Sequence, residues 1–171
     1  MRKKLFLLII FSLILTFVGC GSDTKSDTDA PSANNETAVA AHSFSYNNIK
    51  IEMGTVANDV LSKLGEPKSV TEETSCAFEG MDKTYYFGSF YVTTYPNGDK
   101  ENFYSAWFVD DSLTTEEGIY IGASKAAVDT AYGADSFNGT NAYIINKGAS
   151  KLTVILTDDV VSAITYDAII D

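Results

Sequence analysis

"MGTVANDVLSKLGEP" (residues 53–67) is the most informative stretch about the fold, because its pattern recurs later in the chain as "IGASKAAVDTAYGAD" (residues 121–135). Both copies fit the pattern I-x-[MI]-G-x5-V-x3-[LY]-G. A glycine allows a tight turn, apolar residues follow at helical spacing, and a second glycine stands where a helix ends. The residues of this repeat motif are Gly54, Val60 and Gly65 in the first copy and Gly122, Val128 and Gly133 in the second.

Each copy of the motif predicts one short helix. Thr55 and Ser124 are the expected N-cap residues, since a side-chain hydroxyl accepts a hydrogen bond from the first helical turn. Pro67 prevents the first helix from continuing, because proline lacks the N–H that a helix interior requires. The positions expected to face the core are Val56, Val60 and Leu64 in the first helix and Val128 and Tyr132 in the second.

The similarity continues beyond the helices into segments that predict strands. "FEG" at residue 78 is echoed by "FNG" at residue 137, and "YSAWFVDD" (residues 104–111) is echoed by "VSAITYDA" (residues 161–168). These segments are rich in β-branched and aromatic residues and are separated by glycine-containing turns. The sequence therefore predicts an α+β fold of two tandem repeats, at about 49–112 and 117–170. Each repeat is a helix followed by about three strands, and together they form one antiparallel sheet with the helices on one face.

These residues resemble a known family. "MGTVANDVLSKLGEP" is similar to the signature of small bacterial lipoproteins of the BamE/SmpA type, and its tandem use resembles the architecture of the beta-lactamase-inhibitor protein (BLIP-like). "SCAFEGMDKTYYFGSFYVTTYP" (residues 75–96) and "DDSLTTEEGIYIG" (residues 110–122) also resemble uncharacterised surface lipoproteins of clostridial-type Gram-positive bacteria. The resemblance implies a fold and an envelope location, but it does not imply inhibition of a beta-lactamase, because fold and function separate freely.

The N-terminus predicts export and lipidation. Arg2, Lys3 and Lys4 precede an uncharged apolar run (residues 5–18) that is shorter than the roughly 20 residues needed to span a bilayer. The run ends in "FVGC", which resembles a bacterial lipobox, so residues 1–19 are a predicted signal peptide and Cys20 is the predicted lipidation site. The alternative is a plain signal peptide with an incidental cysteine. Lipidation places the protein on the extracytoplasmic side of the cell membrane, at the cell surface in a Gram-positive host.

A polar stretch separates the predicted anchor from the folded domain. Residues 20–43 are rich in Ser, Thr, Asp, Asn and Ala, a composition that predicts a flexible tether, and the folded domain is expected at residues 44–171. Removal of the leader reduces the 12 basic residues to nine, which against 23 acidic residues gives a formal charge of −14. Such a surface repels nucleic acid, which we exclude as a partner.

The residue types needed for most catalysis are scarce. After cleavage of the leader no arginine remains, and the single histidine, His42, lies at the edge of the tether. Histidine triads, transition-metal sites and nucleotide pockets are therefore disfavoured, and we predict no catalytic residue, no metal and no cofactor. Acidic pairs are expected in solvated turns, with weak calcium binding or a carboxylate-dependent hydrolase site as alternatives. These pairs are Asp110-Asp111, Glu116-Glu117 and Asp158-Asp159.

Cys76 is left unpaired once Cys20 is lipidated. It alternates with Phe78, so the sequence favours a small buried hydrophobe, and a free reactive thiol is the alternative.

The aromatic residues are the best candidates for function. "TYYFGSFYVTTY" (residues 84–95) and "NFYSAWFV" (residues 102–109) carry more rings than one covered sheet face requires. We therefore expect a protein partner to bind an exposed aromatic sheet face, since Tyr and Trp are preferred anchors of interfaces. The alternatives are a core that absorbs the rings, a structural role in envelope assembly, a small-ligand carrier and a cell-wall hydrolase. The predicted binding residues are Trp107, Tyr91, Tyr86 and Phe103.

Overall fold

The computed structural model of the protein describes residues 40–170. Within them the chain is mixed α/β, with antiparallel strands predominating and two α-helices, as the sequence predicts. Cys20, the predicted signal peptide and most of the predicted tether lie outside these residues. The elements are β1 (Ser43–Tyr46), β2 (Ile49–Glu52), α1 (Asn58–Leu64), β3 (Ser69–Thr74), β4 (Met81–Tyr86), β5 (Phe90–Asn97), β6 (Lys100–Phe108), α2 (Lys125–Tyr132), a 3-10 turn (Ala134–Ser136), β7 (Ala142–Lys147), β8 (Ser150–Thr157) and β9 (Val160–Ala168).

Seven strands form one antiparallel sheet in the order β3-β4-β5-β6-β9-β8-β7. Strands β1 and β2 form a separate antiparallel hairpin. Four strands follow α1 instead of the three expected, because "SVTEET" adds β3 at the edge of the sheet. Every residue of β3 is exposed, and its threonines and glutamates suit an edge strand that faces water.

One face of the sheet is covered and contains the core. Strand β5 alternates strictly, with Phe90, Val92 and Thr94 buried. The β1–β2 hairpin packs on this face through Phe44, whose ring centroid lies 5.1 Å from that of Phe108 and 5.3 Å from those of Phe90 and Tyr166. Both helices contribute to the same core through Ala57, Leu64 and Val128. The opposite face carries partly exposed side chains and is called the open face below.

The helix boundaries correct part of the prediction. The N-cap of α1 is Ala57 rather than Thr55, whose hydroxyl donates to the carbonyl of Glu52 at 2.8 Å. Val56 therefore precedes the helix and is 40% exposed, so its predicted place in the core is wrong. Ser124 is the N-cap of α2, where its hydroxyl accepts from the N–H of Ala127 at 3.3 Å, and this prediction is confirmed.

The two glycines that open the motif tie the chain to the sheet in the same way. The N–H of Gly54 donates to the carbonyl of Phe103 at 2.9 Å, and the N–H of Gly122 donates to the carbonyl of Val161 at 2.8 Å. The φ angles of these glycines are 79° and 102°, a region that side chains disfavour. Phe103 in the first half therefore corresponds to Val161 in the second. The sequence match aligns Tyr104 with Val161, which is wrong by one residue.

A β-bulge lies beside each of these contacts. Strand pairing in β5–β6 shifts register between Thr93 and Thr94, which leaves Tyr104 as an extra residue. Strand pairing in β8–β9 shifts between Ile155 and Leu156, which leaves Ser162 as an extra residue. A bulge reverses the side-chain alternation beyond it, so it decides which residues reach the open face.

Candidate binding face

Three predicted binding residues form one row on the open face. Tyr86 pairs with Tyr91 across β4 and β5, and Tyr91 pairs with Trp107 across β5 and β6. The ring centroids of Tyr86 and Tyr91 are 4.3 Å apart with 18° between the ring planes, and those of Tyr91 and Trp107 are 4.9 Å apart with 12° between the planes. We call Tyr86, Tyr91 and Trp107 the aromatic row.

The rings of the aromatic row stand upright on the sheet. Their separations match the spacing of neighbouring strands, about 4.8 Å, so each ring turns its face to the next strand and its edge to solvent. The Nζ atom of Lys68 lies 5.7 Å from the ring centroid of Tyr86 and covers one end of the row. Trp107 ends the row on the other side, beside its strand partner Thr165. Mutual stacking holds the three side chains rigid before any partner arrives.

Phe103 does not belong to this surface. It is fully buried, with 0% of its surface exposed, and the prediction that it binds a partner is wrong. Simple alternation places Phe103 on the same face as Trp107 and Ser105. The bulge at Tyr104 turns Phe103 to the covered face, where it joins the core.

A row of polar side chains runs parallel to the aromatic row, two residues further along each strand. The hydroxyl oxygens of Thr84 and Thr93 are 3.1 Å apart. Ser105, the strand partner of Thr93, donates to the carboxylate of Asp167 at 2.8 Å, and the ammonium of Lys151 lies 3.3 Å from the same carboxylate. We call these five residues the polar row. Their donors and acceptors satisfy one another, so this strip is prearranged as the rim of an interface.

Beyond the polar row lies a cleft of about 650 Å³. Phe78 and Tyr95 form one wall, with stacked rings whose centroids are 4.6 Å apart. The ring of Tyr104 meets that of Tyr95 at 83°, with centroids 6.2 Å apart. Asp82 is the single carboxylate among the lining residues, which are Cys76, Ala77, Phe78, Asp82, Tyr95, Tyr104, Ala168, Ile169 and Ile170. Asp82 is not among the predicted site residues, although its alternation with Thr84 and Tyr86 places it on the open face.

Cys76 is exposed at this cleft and is a free cysteine, so its predicted burial is wrong. The physical reason is that residues 75–80 form a loop before β4 and not a strand, so alternation with Phe78 carries no meaning there.

A smaller cleft of about 300 Å³ opens at the far end of β4–β6 and includes Glu101. Glu101 accepts hydrogen bonds from Lys83 at 2.5 Å, from Tyr85 at 2.8 Å and from Thr94 at 2.9 Å. Burial raises the pKa of the Glu101 carboxyl, but these three donors outweigh burial and hold the pKa below its ordinary value. A carboxylate so fully engaged stabilises the fold and is not free for acid–base chemistry.

The acidic pairs lie in turns. Asp158 and Asp159 have φ angles of 52° and 61° in the two-residue turn between β8 and β9, which confirms the turn prediction for this pair. Asp110 accepts a hydrogen bond from the N–H of Ser112 at 3.0 Å, and Glu116 accepts from Lys147 at 3.1 Å. Across residues 40–170 no group of three or more His, Cys, Asp or Glu side chains is placed to hold a metal ion.

His42 is part of the folded domain and not of the tether. It is 3% exposed, and its Nε2 lies 3.0 Å from the carbonyl of Ile145, which requires the proton to be on Nε2. Burial lowers the pKa of His42, against the raising effect of the Ile145 carbonyl, and the nearby ammonium of Lys147 lowers it further. Ser43 is also buried, so the ordered domain begins before the predicted boundary at residue 44.

Comparisons with protein families, curated proteins and solved structures found no match to this chain. None of the helices in the described part of the chain is long and apolar enough to cross a membrane.

Proposed function

We propose that this protein is a membrane-anchored extracytoplasmic lipoprotein that acts as a non-catalytic binding module and grips a protein through the aromatic row. The observation that carries the proposal is the stacked series Tyr86, Tyr91 and Trp107 at the centre of an uncovered sheet face. Rigid aromatic side chains lose little conformational entropy on binding, which is why such residues dominate the energetics of interfaces.

The orientation of the rings favours a protein over a sugar. A carbohydrate stacks on the free face of an aromatic ring, but both faces of Tyr91 are occupied by its neighbours in the row. The row offers edges and hydroxyl groups, and the polar row beside it offers Thr, Ser, Asp and Lys side chains. An apolar centre flanked by polar groups is the usual composition of a protein interface.

We also propose that the domain is a tandem repeat of BamE/SmpA type with a BLIP-like arrangement. The matching contacts from Gly54 to Phe103 and from Gly122 to Val161 support this, as do the two bulges. In this proposal β3 is an addition to the first repeat. The open sheet face is also the surface by which an inhibitor-like architecture would hold its partner.

Lipidation at Cys20 supplies the membrane anchor in this proposal. The predicted tether (residues 20–43), shortened at its end by the buried His42 and Ser43, lets the open face reach a partner beside the membrane. A structural role in envelope assembly is the main alternative, and it uses the same surface. A cell-wall hydrolase requires two free carboxylates across a cleft, and the larger cleft is lined by one, from Asp82.

Photo-crosslinking in the organism that encodes the chain tests the proposed interface. A photoreactive residue replaces Thr165, which pairs with Trp107 at the free end of the aromatic row. The control places the same residue at Ala126, an exposed position on α2. We expect one protein to be crosslinked from position 165 and not from position 126, and mass spectrometry identifies it.

Affinity measurements with the purified partner then show how much each side chain of the aromatic row contributes to the binding free energy. We expect Trp107→Ala and Tyr91→Ala each to weaken binding by about tenfold or more. Ile144→Ala is the matched control, because Ile144 lies on the same open face at the other end of the sheet and is 46% exposed. Equal binding by all three variants would show that the aromatic row is not the interface.

A further inference from the structure

The aromatic walls of the larger cleft form a corner that is open to solvent. The stacked pair of Phe78 and Tyr95 provides one side, and Tyr104, which is 44% exposed, provides the other at nearly a right angle. Phe78, Tyr95 and Tyr104 all line the cleft, so each ring presents part of its surface to the cleft volume. A volume of about 650 Å³ is within the usual range for small-ligand sites, about 300 to 1,000 Å³.

Asp82 places a negative charge in this corner, and no lysine within residues 40–170 forms a salt bridge with it. Its Oδ1 atom is buried and accepts no hydrogen bond from any residue in the described range 40–170. Glu73 lies directly opposite Asp82 in the β3–β4 register, so two like charges face each other. The nearest lysine along the chain, Lys83, points to the covered face and pairs with Glu101. A buried carboxylate oxygen without a partner is costly, and a positively charged ligand would relieve that cost.

We infer that this cleft binds an organic cation, with its ammonium group between the carboxylate of Asp82 and the rings of Tyr95 and Tyr104. Aromatic faces attract cations through their quadrupole, and a carboxylate beside them adds a direct ion pair. A metal ion is a poor fit because the cleft provides one carboxylate and mainly carbon surface. Ile169 and Ile170 at the mouth suit the apolar part of such a ligand.

The inference is independent of the proposed function. None of the residues of the aromatic row lines the cleft, so binding of a protein to the row does not depend on binding of a cation here. A free small molecule and a lysine side chain of a protein are the two possible sources of the cation, and they share the same chemistry. Separate arms of one experiment distinguish them.

Isothermal titration of the full-length protein with choline is the first arm. The control ligand is the uncharged isostere of choline, in which a tert-butyl group replaces the trimethylammonium group. We expect the isostere to bind at least about tenfold more weakly, because it keeps the shape and loses the charge. A second arm uses N-acetyl-lysine amide, and tighter binding of this compound than of choline would assign the site to lysine side chains.

Variants locate the cation within the cleft. We expect Asp82→Asn to weaken choline binding by about tenfold, since it removes the charge and keeps the shape. Asp135→Asn is the matched control, because Asp135 is exposed on the 3-10 turn far from the cleft, and it should bind choline normally. Tyr104→Leu should weaken binding several-fold through loss of the aromatic face.

Cys76 provides an independent readout because it lines the cleft and is exposed. Bound choline should slow alkylation of this thiol. Peptide mass spectrometry measures the alkylation of Cys76 separately from that of Cys20. The inference is overturned if the uncharged isostere binds as well as choline, if Asp82→Asn binds normally, if neither cation binds, or if saturating choline leaves the alkylation rate of Cys76 unchanged.

Discussion

The two halves of the sheet share a main-chain plan and differ in what they show to solvent. Trp107 on β6 pairs with Thr165 on β9, where the two halves of the sheet meet. The next residues outward in the same row are Tyr91 in the first half and Thr153 in the second. The outer pair in this series is Tyr86 and Ile144. One row across the sheet therefore carries three aromatic rings in the first half and two threonines and an isoleucine in the second.

If the two halves are the tandem repeats proposed above, this difference shows where the proposed binding surface was added to a common main-chain plan. The glycine contacts and the bulges lie in the main chain and are the same in both halves. Side chains on the open face do not pack in the core, so their identities can differ between the two halves without loss of core packing. The aromatic row belongs to the first half alone, and so do β3 and most of the larger cleft.

The largest expected effect comes from the core residue at each bulge. Phe103→Ala should destabilise the fold by about 3–5 kcal/mol, because it empties a fully buried site. Val161→Ala, at the matching position of the second half, removes a smaller side chain and should lower the free energy of unfolding by a smaller amount. Chemical denaturation of both variants measures the two free energies of unfolding. A Phe103→Ala protein as stable as Val161→Ala would contradict the core role given to Phe103.

The next effect separates binding from stability. Trp107→Ala and Tyr91→Ala should each weaken partner binding by about tenfold or more, which is about 1.4 kcal/mol or more. The same variants should cost only about 1 kcal/mol of folding stability, since the lost stacking lies on an open face.

Thr165→Ala and Thr153→Ala change the matching positions of the second half and should leave partner affinity within about twofold of the original. If the threonine variants lost as much affinity as the aromatic variants, the binding surface would extend across both halves and would not be confined to the first.

The sequence predicted the two helices, the class of the sheet and part of the candidate binding face. The motif from Gly54 to Gly65 located the first helix and its second copy, from Gly122 to Gly133, located the second, because positive-φ glycines and apolar spacing are local properties. Tyr91 and Trp107 were identified as surface candidates from composition. Their stacking could not be predicted, because it depends on which strands pair and in what register.

The wrong predictions for Phe103 and Cys76 have the same physical origin. Alternation along a strand puts Phe103 on the face of Trp107, but a bulge that the sequence does not mark reverses it. Alternation also predicts burial of Cys76, but residues 75–80 form a loop. A single aspartate in a strand, such as Asp82, gives no signal until its neighbours in space are known. Pairing, bulges and loop paths are non-local, and this is where inference from one sequence stopped.

One tyrosine in each half of the sheet, Tyr85 and Tyr143, donates a hydrogen bond to a carboxylate, and the two carboxylates differ in exposure. Tyr85 donates to Glu101, whose side chain is 17% exposed, whereas Tyr143 donates to Asp129, whose side chain is 32% exposed. Glu101→Gln should therefore cost about 1–3 kcal/mol, because Lys83 loses its counter-charge in a partly buried site. Asp129→Asn should have a smaller effect, since water replaces the lost contacts.

Acid titration tests the role of Glu101 directly. The pKa of Glu101 is below its ordinary value in the folded protein, so its contribution is present above the unfolded pKa of about 4.5 and is lost as pH falls through the folded pKa. Unfolding measured by circular dichroism from pH 6 downwards should show a shallower loss of stability in Glu101→Gln than in the original chain. Parallel curves for the two proteins would contradict the assignment.

His42 has no equivalent in the first half, because the segment before β1 bonds to β7 and β8 of the second half. Its pKa is lowered by burial, so the neutral ring contributes stability above the unfolded pKa of about 6.5, and this is lost as pH falls through the folded pKa. We expect the thermal midpoint of the original chain to drop between pH 7 and pH 5.

His42→Gln keeps a donor for the carbonyl of Ile145 and cannot titrate, so it should flatten the pH dependence in that window. The carboxylates change little there, because their ordinary pKa values lie lower. An unchanged slope in His42→Gln would mean that another group is responsible.

The smallest expected effect lies in the hairpin turns. The β8–β9 turn holds Asp158 and Asp159 at positive φ, whereas Gly98 occupies the first position of the β5–β6 turn. Asp-Gly is a favoured sequence for two residues at positive φ, so Asp159→Gly should stabilise the protein by up to about 1 kcal/mol, or roughly 2–4 °C in the thermal midpoint. Asp135→Asn controls for the lost negative charge. A gain of the same size in that control would assign the effect to charge, and the strain in this turn would then contribute nothing measurable.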